Sequence, residues 1–145
     1  MRLTTAALGM IALAAPALAQ TGAACTAATT RGTYSVMCTG YMSPAAGAPQ
    51  VPITVLGTVV GDFSGTFTGT AKVSLGGTIV DQTVSGVIQA NSDCTGSISY
   101  AQKINGQPAP NLNIIAHTLN EGAEIRGMSI DAGVTMTCSL ALLHR

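Results

Sequence analysis

Tryptophan is absent from this 145-residue chain, and its aromatic side chains are three Tyr and two Phe. That scarcity argues against a sugar-binding platform, which stacks several exposed rings. Charge is equally sparse: six Lys and Arg against six Asp and Glu, 8% of the chain together. With no basic stripe to neutralise a phosphate backbone, nucleic acid is not an expected partner. No basic amphipathic helix is available to lie on a membrane surface. No C-x-x-C and no Cys/His cluster carries metal-ligand spacing. No G-x-S-x-G elbow presents a serine nucleophile. The Gly-rich stretches open no helix that would cradle a phosphate. No catalytic residue, metal or cofactor is therefore expected.

What is present begins with an export signal. Arg2 precedes an apolar stretch, Leu3 to Leu13, interrupted only by Thr4, Thr5 and Gly9. Pro16 ends it, and Ala17-Leu18-Ala19 fits small-x-small cleavage. Residues 1–19 thus read as a cleavable signal peptide of bacterial type. The stretch is too short to span a bilayer, which takes about 20 residues. Gly22-Ala23-Ala24-Cys25 resembles an acylation site, but Gly22 stands where a Leu is usual, and acylation would leave an odd number of cysteines. The expected product is a secreted or periplasmic domain, 20–145, with no membrane insertion after cleavage. Its 126 residues make one domain with a real core. Five basic residues against six acidic ones leave it at −1.

From Gly32 onward Val, Ile, Thr, Tyr and Phe dominate, and Gly, Asn, Asp and Pro punctuate about every dozen residues. Eight strands are expected at about 33–41, 52–60, 63–75, 78–90, 94–104, 111–119, 122–130 and 133–143. Gly61-Asp62, Gly76-Gly77, Asn91-Ser92-Asp93, Asn120-Glu121-Gly122 and Asp131-Ala132-Gly133 supply tight-turn chemistry. Two connections contain Pro and read as longer loops, 42–51 and 105–110. Consecutive strands with short turns predict an all-β, antiparallel up-and-down barrel, because closure removes exposed edges. A two-sheet sandwich is the alternative. Gly57, Gly65, Gly69, Gly86, Gly96 and Gly127, read as strand-interior, suit the bends of a small barrel.

Four cysteines in an exported domain imply two disulfides. The barrel order selects the pairing. Cys25 lies below the start of strand one, and Cys94 opens strand five at the same end. Cys38 and Cys138 lie at mid-height on strands one and eight, which closure makes neighbours. Tyr34, Val36 and Cys38 share one apolar face, as do Val134, Met136, Cys138, Leu140 and Leu142. The expected bridges are Cys25–Cys94 and Cys38–Cys138.

The polar candidates are few. His117 is the only histidine in an expected strand, with Asp81, Asp93 or Asp131 as conceivable partner. Tyr100 is the other internal polar candidate. Strand alternation puts both Pro-containing loops at one end, where Tyr41 and Met42 stand, and barrel mouths commonly hold ligands. Three functions follow. The first is a non-enzymatic secreted barrel binding a small apolar molecule, with Tyr41, Met42, Tyr100 and His117 as candidate contacts. The second is a barrel-type cyclase or isomerase using His117 and Tyr100. The third is a structural or interaction module of the cell envelope. A lumen plugged by Val, Ile, Met and the Cys38–Cys138 bridge would reject interior binding.

Gly32-Thr33-Tyr34 opening strand one and His144-Arg145 closing strand eight resemble the calycin (lipocalin-like) barrels. In those, a G-x-W begins the first strand and a basic residue near the chain end packs on the ring. The resemblance implies a closed barrel and a lipophilic ligand; Tyr34 stands in place of the Trp, and the mature chain is shorter. Gly65-Thr66-Phe67-Thr68-Gly69, Asp93-Cys94-Thr95-Gly96 and Ile125-Arg126-Gly127 extend a similarity to small exported bacterial proteins of unassigned function. Dirigent and allene oxide cyclase barrels are similar in architecture alone.

Overall fold

The structure is a computed structural model that describes residues 24–45 and 47–145. The expected signal peptide lies outside the described residues. A 3-10 turn, Ala27–Thr30, leads into β1 (Gly32–Met42), β2 (Val51–Gly61), β3 (Thr66–Leu75), β4 (Thr78–Ala90), β5 (Thr95–Ile104), β6 (Gln107–Leu119), β7 (Glu124–Ser129) and β8 (Val134–His144). Each strand pairs antiparallel with its sequence neighbours, and β8 returns to β1, so the sheet closes into a barrel. The architecture is compatible with the calycin type.

Period-two patterning drives the closure. Along β6, Leu112, Ile114 and Ala116 are buried, while Ile115 and His117 face out. β8 buries Met136, Cys138 and Leu140 in the same way. On the outer wall Thr58, Thr70 and Thr83 stand side by side across three strands, with Thr68 beside Ser85. The outer wall is mixed: these hydroxyls share it with exposed apolar side chains such as Leu56, Val60, Ile79 and Ile115. Among the described residues no helix is long and apolar enough to cross a membrane.

Both expected disulfides are present. Cys38 and Cys138 are directly paired residues, with Cα atoms 4.1 Å apart. Cys25 joins Cys94 at 5.0 Å and tethers the lead-in across the lower opening. Thr30 is fully buried there, its hydroxyl donating to the Ala27 carbonyl at 2.8 Å. The lead-in lies so close to the β6–β7 turn that a Cβ on Gly122 would sit 2.0 Å from the Thr29 carbonyl oxygen.

Two expectations are corrected. β3 begins at Thr66, because Asp62 closes a turn over 62–65 by accepting from the Ser64 and Thr66 amides at 2.8 and 3.0 Å. Gly65 belongs to that turn, with φ +84°. The 105–110 segment is no loop: Asn105-Gly106 make the turn and β6 starts at Gln107. β7 pairs with β6 only from Ile114 downward, so the upper part of β6 is an edge. Pro108 and Pro110 are tolerated there because no ladder needs their missing N–H. Only the 43–50 connection remains long at the upper end.

Candidate functional site

Three places merit consideration: the lumen, the upper rim and the outer wall. The lumen is nearly full. Its free space is about 60 Å³, lined by apolar side chains including Val36, Val55, Phe67, Ile98 and Leu140. A cavity that admits benzene measures roughly 150 Å³, and pockets for drug-sized molecules run to about 300–1,000 Å³. Eight strands make a cylinder just wide enough for its own side chains.

An inward glycine lets the rings fit. Gly86 on β4 pairs with Phe67 on one side and Tyr100 on the other. The two rings meet edge to face, centroids 6.4 Å apart, as aromatic quadrupoles prefer. Burial pushes the Tyr100 hydroxyl up to about 12, and the nearby Asp131 carboxylate adds to the rise. Tyr100 is therefore a neutral wall element rather than a proton donor tuned near neutrality.

Above the rings the lumen ends in an amide pair. Gln82 Nε2 donates to Gln102 Oε1 at 2.5 Å, and Gln102 Nε2 donates to the Pro110 carbonyl at 2.8 Å. Both glutamines are buried, and satisfied pairing makes that burial tolerable. They were missed in the sequence. The inner series Val80-Gln82-Val84-Gly86-Ile88 carried the signal, a polar residue on an apolar parity.

Tyr41 and Met42 share the upper rim but not a face. Tyr41 is 54% exposed and points outward, whereas Met42 packs against the core. Tyr100 faces the lumen and His117 the solvent, so the wall itself separates those two. The carboxylates weighed as partners for His117 have other engagements. Asp81 pairs with Lys72 at 2.5 Å. Asp131 accepts from the Asn113 amide and side chain at 2.6 and 2.9 Å. Asp93 is held below the usual carboxylate range, chiefly by the Thr95 hydroxyl at 2.7 Å, with a lesser contribution from His117. Among the described residues no three of His, Cys, Asp or Glu cluster to hold a metal.

Tyr34 occupies the position that the calycin resemblance assigns to an aromatic ring. It is fully buried, and its hydroxyl donates to the Gly122 carbonyl at 2.7 Å. Arg145 donates to the adjacent Glu121 carbonyl. Burial raises the Tyr34 hydroxyl above its ordinary value, and the Arg145 charge pulls it partly back. First strand, last residue and the β6–β7 turn are thus tied together at the lower end.

The outer wall holds the larger recess. An open groove of about 560 Å³ runs over β6, β7, β8 and β1, lined by Met37, Ile115, Met128, His117 and Arg126 among others. Met37 and Met128 are 55% and 52% exposed. Register sets them on either side of β8, Met37 opposite Ser139 and Met128 opposite Thr137. Arg126 lies opposite His117 and gives its Nε to Glu124 at 2.6 Å. The sequence signal was Met37 itself, an apolar residue on the outward parity between Val36 and Cys38.

No protein-family model matches the chain, and no curated protein or solved structure is significantly similar to it.

Proposed function

We propose that this is an exported, non-enzymatic bacterial barrel that works through its outer wall, an interaction module of the cell envelope rather than a carrier of lipophiles in its lumen. Two disulfides indicate maturation in an oxidising compartment, and the N-terminal signal pattern supports secretion or a periplasmic address. One observation carries the reading. The lumen offers about 60 Å³, while large apolar side chains stand exposed outside. Exposed apolar patches mark interaction surfaces. The cyclase or isomerase reading loses support because Tyr100 and His117 lie on opposite faces of the wall.

Native mass spectrometry of the protein purified from its own host tests this. The expected mass is that of the polypeptide with two disulfides, starting at Gln20. A retained organic molecule that is lost on narrowing the lumen with Ala71→Leu would restore the lipophile-carrier reading.

A further inference from the structure

We infer that Met37 and Met128 form a reversible oxidation site that switches the outer groove between an apolar and a polar state. The effect on the groove rests on the outer-wall reading; the oxidation chemistry does not.

Four methionines lie among the described residues, and they divide sharply. Met136 is 3% exposed and Met42 packs against the core, whereas Met37 and Met128 are more than half exposed. Exposure decides which thioethers an oxidant reaches. The two accessible ones line one groove and bracket one strand.

The chemistry needs a two-electron oxidant of the peroxide class. A sulfur lone pair attacks one peroxide oxygen and forms the S–O bond, the O–O bond breaks, and the departing hydroxide takes the proton of the sulfur-bound hydroxyl and leaves as water. Sulfur is oxidised to sulfoxide and the peroxide is reduced.

The surroundings suit the product. A sulfoxide oxygen is a strong acceptor, and a hydroxyl residue lies opposite each position on β8. Ser139 faces Met37, Thr137 faces Met128, and Thr39 lines the same groove. Glu124 engages Arg126 through Nε, on the strand that carries Met128. Oxidation therefore exchanges apolar contact for hydrogen bonding without disturbing the lumen. Oxidising Met136 would instead bury a polar group in the core, which is costly.

The test is graded hydrogen peroxide treatment of the folded, disulfide-intact protein, read by peptide mapping. Met37 and Met128 should each gain one oxygen about tenfold or more faster than Met136, as exposure dictates. Near-UV circular dichroism should stay unchanged. Anilinonaphthalene sulfonate, which reports exposed apolar surface, should fluoresce with the untreated protein and lose most of that signal after oxidation. Sulfoxide reductases for both epimers, with a dithiol as the two-electron reductant that becomes a disulfide while the sulfoxide oxygen leaves as water, should restore it. In Met37→Leu/Met128→Leu the dye signal should persist and become insensitive to peroxide. Oxidation of Met136 at the same rate as the other two would overturn the site. Selective oxidation that leaves the dye signal unchanged would overturn the switch. A dye that fails to bind the untreated protein would overturn the outer-wall reading and the switch, leaving the selectivity of oxidation as a separate result.

Discussion

Cutting the bridge between the first and last strands should cost somewhat more stability than cutting the one that tethers the lead-in. Cys38 and Cys138 are 100 residues apart in sequence. In the chain-entropy picture, a cross-link closing that loop restricts the unfolded ensemble by about 4.7 kcal/mol at 25 °C. Cys38→Ala/Cys138→Ala also removes two sulfur atoms from a wall where each cysteine is 6% exposed, adding roughly 1 kcal/mol of lost packing. Domains of this size are stable by only about 5–15 kcal/mol, so the double variant should lie close to the limit of folding. The Cys25–Cys94 bridge, with a separation of 69, should be worth about 4.4 kcal/mol by the same relation. Loop length enters only as a logarithm. Urea unfolding followed by far-UV circular dichroism and tyrosine fluorescence reads both losses. The slope against urea should also rise, since an uncrosslinked chain exposes more surface. A loss below about 1 kcal/mol with an unchanged slope would refute the entropic reasoning. So would a large loss for one bridge and none for the other.

Three further outcomes are expected. Tyr34→Phe removes the hydroxyl that donates to the buried Gly122 carbonyl and should cost about 1–2 kcal/mol in a urea titration; an unchanged midpoint would show that another donor replaces it. Gly86→Ala places a Cβ 2.2 Å from the Ser99 carbonyl oxygen and 2.6 Å from Tyr100 Cβ, so overpacking should lower stability by roughly 1–3 kcal/mol in thermal unfolding; a neutral result would mean the wall gives way there. Alkali should destabilise the barrel. The Tyr100 hydroxyl titrates near 10.0 when unfolded and at about 12 when folded, so its stabilisation is complete below pH 10 and is lost as pH rises toward 12. The loss is on the order of 2–3 kcal/mol, and Tyr34 shifts in the same direction. Tyr100→Phe should flatten that profile, and an unaltered profile would assign the loss elsewhere.

Local chemistry made much of the barrel legible. Turn signals such as Asp62 and Asn120-Glu121-Gly122 lie where the chain reverses, and strand alternation then fixed which cysteines could meet. The 105–110 segment failed for a non-local reason. Pro signals a loop unless a short neighbour leaves an edge, and that depends on β7 ending at Ser129. His117 was ambiguous because Ile115 shares its parity while Ile114 and Ala116 hold the other; only pairing with β5 and β7 decides which series faces inward. The filled lumen was equally hidden, since it arises where an inward glycine of β4, Gly86, meets rings on both neighbouring strands. The outer groove spans four strands whose juxtaposition exists only after closure.

The Cys38–Cys138 bridge has a topological consequence. It turns residues 38–138 into a covalent ring, with the β1–β2 connection inside its circumference. A protease that nicks 43–50 therefore opens the ring without releasing a fragment. The cleaved molecule should keep its mass on a non-reducing gel and separate only when thiols are added. Such a nick also creates new chain ends beside the upper rim, at the opposite end of the barrel from Arg145. The same feature makes 43–50 a natural place to permute the chain, because the old seam is already closed by sulfur.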